Sequence, residues 1–304
     1  MGQYGARAVT EFGKAYNPAS TAYCSRVTTA NNVTAKYRLD RTHNKKLSKT
    51  TRGVIKMCWS GEASAVLATI GFGTATYVAY KGESKELWIP LTYFACMELL
   101  QAATYIYIDL CDSPPNQILT MLGYLHIAFQ PFFVNMVAMY FIPEHVKRKI
   151  GAAVYALCGV GTLLILIKMY PLAWAGKCIP GLEGFCGPEV CSVSGSWHIA
   201  WQMPLNGLWS DIPENSIRFQ YGLHAVAYIA VAFVLPVLYG SWRFVGFHYL
   251  IGPAISDALT TDPNEYCAVW CLFSIALCVS VIKTPIRQYL HVQQWPCYRK
   301  AYAA

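Results

Sequence analysis

The sequence predicts an all-α, polytopic membrane protein: seven transmembrane helices behind a basic, extended N-terminal tail. Three observations carry that reading. Of 304 residues, 55% are hydrophobic and only 13% charged, where charged residues make up ~25% of an ordinary soluble domain. The apolar residues fall in blocks rather than being scattered. Several blocks approach or exceed the ~20 apolar residues that cross a ~30 Å hydrocarbon layer.

Residues 1–53 form the tail. They hold ten Lys and Arg against Glu11 and Asp40, so this segment alone accounts for the net charge of +8. Being Arg-containing, hydroxyl-rich and poor in acid, it has the composition of an organelle transit peptide. It lacks the apolar surface to fold by itself, so the expectation is a tail ordered only against neighbours. Lipid head groups or an acidic protein surface suit it, and nucleic acid is not an expected partner. Asn32-Val33-Thr34 is a glycosylation sequon, a short pattern that occurs often by chance.

The spans occupy residues 54–285, with a C-terminal tail at 286–304. The first covers Ala63–Tyr80 and the second Leu87–Leu110. The third is Asn116–Ile142, the stretch around which the rest is organised. His126 and Gln130 sit one turn apart there, and Pro131 follows. Proline offers no N–H to the carbonyl four residues back, and polar groups at membrane depth need partners. The fourth span is Ile150–Tyr170. A Cys-rich loop, 171–216, separates it from the fifth, Phe219–Trp242, where Gln220, His224 and Tyr228 recur at steps of four and Pro236 is placed to kink the helix. The sixth, Phe244–Leu259, is short and interrupted by Gly252-Pro253, as in segments that re-enter rather than cross. The seventh is Tyr266–Ile282.

Positive charge in the short connections after spans one, three and five places the C-terminus inside and the N-terminus outside. The basic tail argues the reverse, but long segments translocate largely regardless of charge. On that topology Cys24, Cys111, Cys178, Cys186, Cys191 and Cys267 share the outer face. Cys178, Cys186 and Cys191, with Cys111, are therefore the disulfide candidates.

An intramembrane polar cluster is expected from Glu98, Gln101, His126, Gln130, His224 and His248. Glu98 is near mid-span, where an ionised carboxylate is costly, so it should be neutral, paired with a histidine or facing water. Asp109, at the end of its span, should be solvated. If His126, His224 and His248 converged with Glu98, they would suit zinc with an activated water. Two facing histidines would suit a b-type haem. The competing reading is histidines satisfied by hydrogen bonds between helices. A second element, Trp197, His198, Trp201 and Gln202, lies in the long loop. Its HIAWQ echoes the HIAFQ of His126–Gln130, which suggests repetition. Its tryptophans suit an amphipathic cap at the membrane interface, over the helix ends. A retinal protein is excluded, because no span carries a mid-helix lysine and Lys283 falls past the last. Hydrolases of the alkaline-ceramidase kind carry paired histidines in the last helix, and here it has none.

The segments YFACMELLQAATYIYIDLC (Tyr93–Cys111), GYLHIAFQPFFVN (Gly123–Asn135) and GSWHIAWQMP (Gly195–Pro204) resemble those of an uncharacterised family of bacterial seven-helix membrane proteins. The likeness covers about residues 57–285, implies architecture only, and leaves out the basic tail.

The expected function is a non-catalytic subunit of a larger membrane assembly, packed against other membrane subunits and lipid. An organelle (mitochondrial-type) inner membrane is the expected site, with the plasma membrane as the alternative. A receptor, channel or transporter with an intramembrane ligand or proton site is the second reading, and a metal-dependent membrane enzyme the third.

Overall fold

Helices dominate the described residues, 59–210 and 222–295 of a computed structural model. Outside the described residues lie the basic tail with Cys24 and the Asn32 sequon, the start of the fifth span at Phe219 and Gln220, and the charged end at Arg299 and Lys300. The first four helices are α1 (Gly61–Tyr80), α2 (Lys85–Ile106), α3 (Pro114–Tyr140) and α4 (Glu144–Leu166). A hairpin of β1 (Cys191–Ser194) and β2 (Ile199–Gln202) follows in the long loop. Then come α5 (Gly222–Ile229), α6 (Leu235–Leu238), α7 (Trp242–Ile251), α8 (Pro253–Leu259), α9 (Pro263–Val281) and a short α10 (Pro285–Leu290). Local signals set the starts. The Ser60 side chain accepts from the Ala63 N–H to cap α1, and prolines open α3, α8, α9 and α10, where a missing N–H costs nothing.

Four helices among the described residues are long and apolar enough to cross a membrane: α1, α3, α4 with its 3₁₀ extension to Met169, and α9. They make an integral membrane location compatible with the fold. The second expected span, α2, is equally long at 22 residues but carries Glu98 and Gln101. Burial ranks the helices, since the apolar windows of α3 and α9 are 56% and 65% buried against 28% for α1 and α4. Thus α3 and α9 form the centre. The outer face of α4 shows Leu157, Val160, Leu163 and Leu164 to the surroundings, an apolar stripe that fits lipid rather than water.

The expected sixth span is two helices, broken at Gly252. A side chain there would put its Cβ 2.4 Å from Trp270 Nε1, and Pro253 cannot continue the hydrogen-bond ladder. The fifth is also irregular. Pro236 lacks an N–H, and just before it the ladder widens into a π-turn at Ala230–Val234, where the Leu235 N–H reaches Ala230. Such a turn leaves carbonyls to be met elsewhere. Asn135 of α3 does so, its amide donating to Val231 at 2.9 Å and Pro131 at 2.8 Å while its oxygen accepts from the Tyr239 hydroxyl at 2.9 Å. Thr162 of α4 also reaches α3, donating to the Ala128 carbonyl at 2.8 Å.

Hydrogen bonds sort the connections into two ends. At one, Trp59 N–H meets Trp197, Asp109 N–H meets Ser192, and the Asn264 amide meets Cys186 at 3.0 Å. At the other, Arg287 binds Glu83 at 2.8 Å and the Tyr140 hydroxyl, Arg243 binds the Tyr289 carbonyl at 2.9 Å, and Val292 N–H meets Phe141 at 2.9 Å. At this second end the Arg287 guanidinium holds the Glu83 carboxyl below its ordinary range.

The segment expected at the interface forms an antiparallel hairpin with a buried face. Cys191 pairs with Gln202 and Ser194 with Ile199, and Trp201 is 1% exposed. Its strands lie against α3 and α9, with Trp201 in the core, Trp197 half-buried and Trp209 exposed. HIAFQ and HIAWQ therefore do not form a structural repeat: helical period places His126 and Gln130 on one side, whereas strand period separates His198 from Ile199. All four disulfide candidates are used. Cys111–Cys191 ties the α2–α3 connection to β1, and Cys178–Cys186 closes a loop beside it. Cys267 is a free thiol in α9.

Replacing Asn135 by Leu strands two carbonyls and a phenol in the core. Thermal unfolding in detergent is expected to show a loss of roughly 2–3 kcal/mol. An unchanged midpoint would mean that the π-turn satisfies itself.

Candidate functional site: unpaired polar groups beneath the cap

The cap is seated by side chains that act as backbone. Asn116 of α3 accepts from the Ser192 N–H at 2.9 Å and donates to the Ser192 carbonyl at 2.9 Å, pairing with β1 as another strand would. Thr120, one turn on, meets the Ser192 hydroxyl at 2.7 Å. Asp109, exposed and in the left-handed region at φ 64°, binds Ser194 through its N–H and hydroxyl at 2.8 and 2.6 Å. From the other side Glu265 of α9, fully buried, accepts from the N–H groups of Trp197 and His198 and from the Thr260 hydroxyl at 2.5 Å. A Cβ on Gly195 would fall 2.6 Å from that carboxylate, so glycine lets the turn close over it.

His198 lies at the heart of this seat. Its Nδ1 accepts from the Ile199 N–H at 2.8 Å and stands 3.1 Å from the Tyr105 hydroxyl of α2. Trp59 stacks over the ring. Burial pushes the imidazole down from its ordinary 6.5 to about 3. With Nδ1 accepting, the proton of the neutral ring belongs on Nε2, and that atom is buried without a partner.

Below Tyr105 on α2 come Gln101 and Glu98, both 0% exposed. Both carboxylate oxygens of Glu98 and both amide atoms of Gln101 lack a hydrogen-bond partner. The Ser64 hydroxyl of α1 approaches the carboxyl as a donor, since its oxygen accepts from Trp59 Nε1 at 3.0 Å and its own proton remains to give. Tyr105 and Cys271 of α9 stand within electrostatic range of the same carboxyl. Deeper still, Gln130 donates to the Cys271 sulfur at 3.5 Å and accepts from the Tyr228 hydroxyl at 2.8 Å. Trp201 Nε1, against Gly123, is another unpaired buried donor. Unsatisfied buried atoms are rare in folded proteins. Here four of them sit on neighbouring turns of one helix.

The histidines do not converge. His126 Nε2 meets the Tyr93 carbonyl at 2.9 Å, its ring stacks on Tyr93 with centroids 3.8 Å apart, and Tyr93 donates its hydroxyl to the His126 carbonyl. His248 takes the Trp270 indole N–H at 3.3 Å and stacks on Phe233. His224 packs edge-on against Phe185. These three share no partner, and among the described residues no group of three His, Cys, Asp or Glu stands where it could hold a metal ion. Gln202 of the hairpin is half-buried beside Gly187, and Trp197 stacks on Trp59.

Sequence reasoning missed one buried ion pair. Lys168, just past α4, lies 3.0 Å from Glu183, with side chains 0% and 2% exposed. Glu183 also accepts from the Ile179 N–H at 3.0 Å, and Lys168 donates to the Leu208 carbonyl at 3.2 Å. A lysine at the end of an apolar span reads as a snorkelling residue, so nothing local pointed to its partner.

Residues 62–291 match the model of a family of unknown function, DUF5765. The chain belongs to that family. The match covers every helix described here, and in this DUF5765 member it takes in Glu98, Gln101 and the whole cap. None of the curated proteins and none of the solved structures matches the chain.

The buried neutral His198 gives the cap a pH dependence of known sign. Unfolded chain gains a proton as pH falls through 6.5, whereas the folded ring resists until about 3. Its share of stability is therefore complete above 6.5 and lost progressively between the two values. The gap between the unfolding midpoints of the wild type and His198→Asn should narrow over that interval, and a constant gap would contradict a neutral buried ring.

Proposed function

We propose that this chain is a seven-span membrane receptor, channel or transporter whose intramembrane ligand or proton site is centred on Glu98 and Gln101. One observation carries the reading: the four polar atoms of these two side chains are fully buried, and among the described residues only the Ser64 hydroxyl approaches the carboxyl as a donor. At membrane depth each such atom costs several kcal/mol. Other buried atoms of this interior are also unmet, among them His198 Nε2 and Trp201 Nε1, but Glu98 and Gln101 gather four of them on two side chains one turn apart, which supports a place for something outside the chain.

Alternation of the connections between the two ends supports seven crossings, with α7 and α8 together forming the sixth. The disulfides belong to an oxidising compartment, which supports an outward-facing cap and an inward C-terminus. The basic tail still favours an organelle inner membrane of the mitochondrial type, with the plasma membrane as alternative.

A second reading, a non-catalytic subunit of a larger assembly bound to lipid and other subunits, draws on a different observation. An apolar groove of about 470 Å³ between α2 and α3 is lined by Tyr93, Cys96, Leu100, Leu122, Leu125, His126, Phe129 and Phe133, which suits a neighbouring helix or acyl chain. In that reading Glu98 and Gln101 are internal glue. The two readings predict opposite signs for Glu98→Leu and Gln101→Leu. A site held open for a ligand gains stability when its unpaired groups are removed, by roughly 1–3 kcal/mol. Glue loses a comparable amount. Thermal unfolding of the full chain in lipid nanodiscs decides between them.

A further inference from the structure

We propose that the outer face of α1 binds an anionic phospholipid, with Lys81 and Lys283 on its phosphate and an acyl chain along Val66, Ile70, Gly73 and Tyr77. The site uses nothing of Glu98 or of the α2–α3 groove. Val66, Ile70, Gly73 and Tyr77 recur at steps of three and four, so they share one side of the helix. All four are exposed, Val66 at 58%, Ile70 at 48% and Tyr77 at 51%. A Cβ on Gly73 would meet no described group within 4 Å, so the stripe is uncovered midway. From Val66 to Tyr77 the helix rises ~16 Å, one leaflet's share of a ~30 Å hydrocarbon layer.

The stripe ends in cations from two elements. Lys81, the residue that closes α1, holds its ammonium 5.6 Å from the centre of the Tyr77 ring and 5.9 Å from that of Tyr80. Lys283, between α9 and α10, sits at φ 63°, uncommon for a lysine, and brings its ammonium to 5.7 Å from the same Tyr77 ring. Attraction to an exposed ring is weak and neutralises neither charge. Glu83 stands 4.0 Å from Lys283 but is bound by Arg287 at 2.8 Å. Lys81, Lys283 and Arg287 thus have one carboxylate between them, which leaves two positive charges over. The cations beside the apolar face of α4 are answered instead, Lys147 by Glu86 at 2.8 Å and Arg148 by Glu144 at 3.9 Å. An anionic head group matches the surplus at the end of α1, and its chain matches the stripe. The basic segment 1–53, at net +8, has the wrong sign for this surface. A soluble acidic protein would use the charge and leave the stripe unexplained.

Native mass spectrometry of the full chain, released from phosphatidylcholine nanodiscs with graded phosphatidylglycerol, counts the lipids retained and gives their apparent affinity. The expected result is preferential retention of phosphatidylglycerol, weakened about fivefold each by Lys81→Gln and Lys283→Gln and kept in Lys283→Arg. Both lysines are exposed, so these variants should fold, and an unchanged thermal midpoint in phosphatidylcholine alone checks that they do. Lys149→Gln removes an equal charge from the exposed start of α4 and should leave the affinity as it is. Dihexanoyl phosphatidylglycerol, too short to follow the stripe, should bind at least ~10-fold more weakly. An equal loss in Lys149→Gln would reduce the effect to general surface charge and overturn the site. Retention that ignores both lysines would do the same. Equal binding of the short-chain lipid, or competition by inorganic phosphate alone, would replace the lipid by a free anion. Polyglutamate bound through the two lysines, with no lipid preference, would give the surface to an acidic protein instead.

Discussion

A buried interior offers no water to a stray polar group, and that constraint governs this molecule. Proline at 131 and at 236, glycine at 252 and the π-turn before Pro236 all leave backbone groups to be met. At the π-turn the solution is a side chain from another helix: Asn135 of α3 donates to the Val231 carbonyl and accepts from the Tyr239 hydroxyl. Irregular helices are thus tied to one another more tightly than regular ones would be, since each break in a ladder becomes a bond between helices. Against that background Glu98 and Gln101 place four buried polar atoms close together on α2.

The cap follows from the same rule at one end of the helices. A two-stranded hairpin is marginal alone, and its edges expose backbone donors and acceptors. Here Asn116 pairs with one strand as a surrogate neighbour, Glu265 collects the N–H groups at the turn, and Cys111–Cys191 joins the hairpin to the α2–α3 connection. The buried Lys168–Glu183 pair fixes the preceding loop in the same way. Replacing either partner alone would leave a buried charge uncompensated.

Much of this was legible in the sequence. Blocks of apolar residues gave the helices, and the compartment argument picked out four cysteines that do pair. Glu98 and Gln101 stood out because a carboxylate and an amide at steps of three in an apolar span need an explanation. The hairpin was not legible, because HIAWQ repeats the helical HIAFQ almost letter for letter and only its tertiary seat on Asn116 and Glu265 makes it a strand. Convergence of the histidines follows only if helical faces meet, and faces depend on rotations that the π-turn at Ala230–Val234 and the break at Gly252 alter. Partners distant in sequence, such as Lys168 with Glu183, leave no local trace.

The central claim is that something outside the chain completes Glu98 and Gln101. A high-resolution experimental map of the protein in lipid addresses it directly. Ordered non-protein density within hydrogen-bond distance of the Glu98 carboxyl and the Gln101 amide, continuous towards Tyr105, is the expected result. A dry contact in which the two side chains are satisfied wholly by protein groups would contradict it.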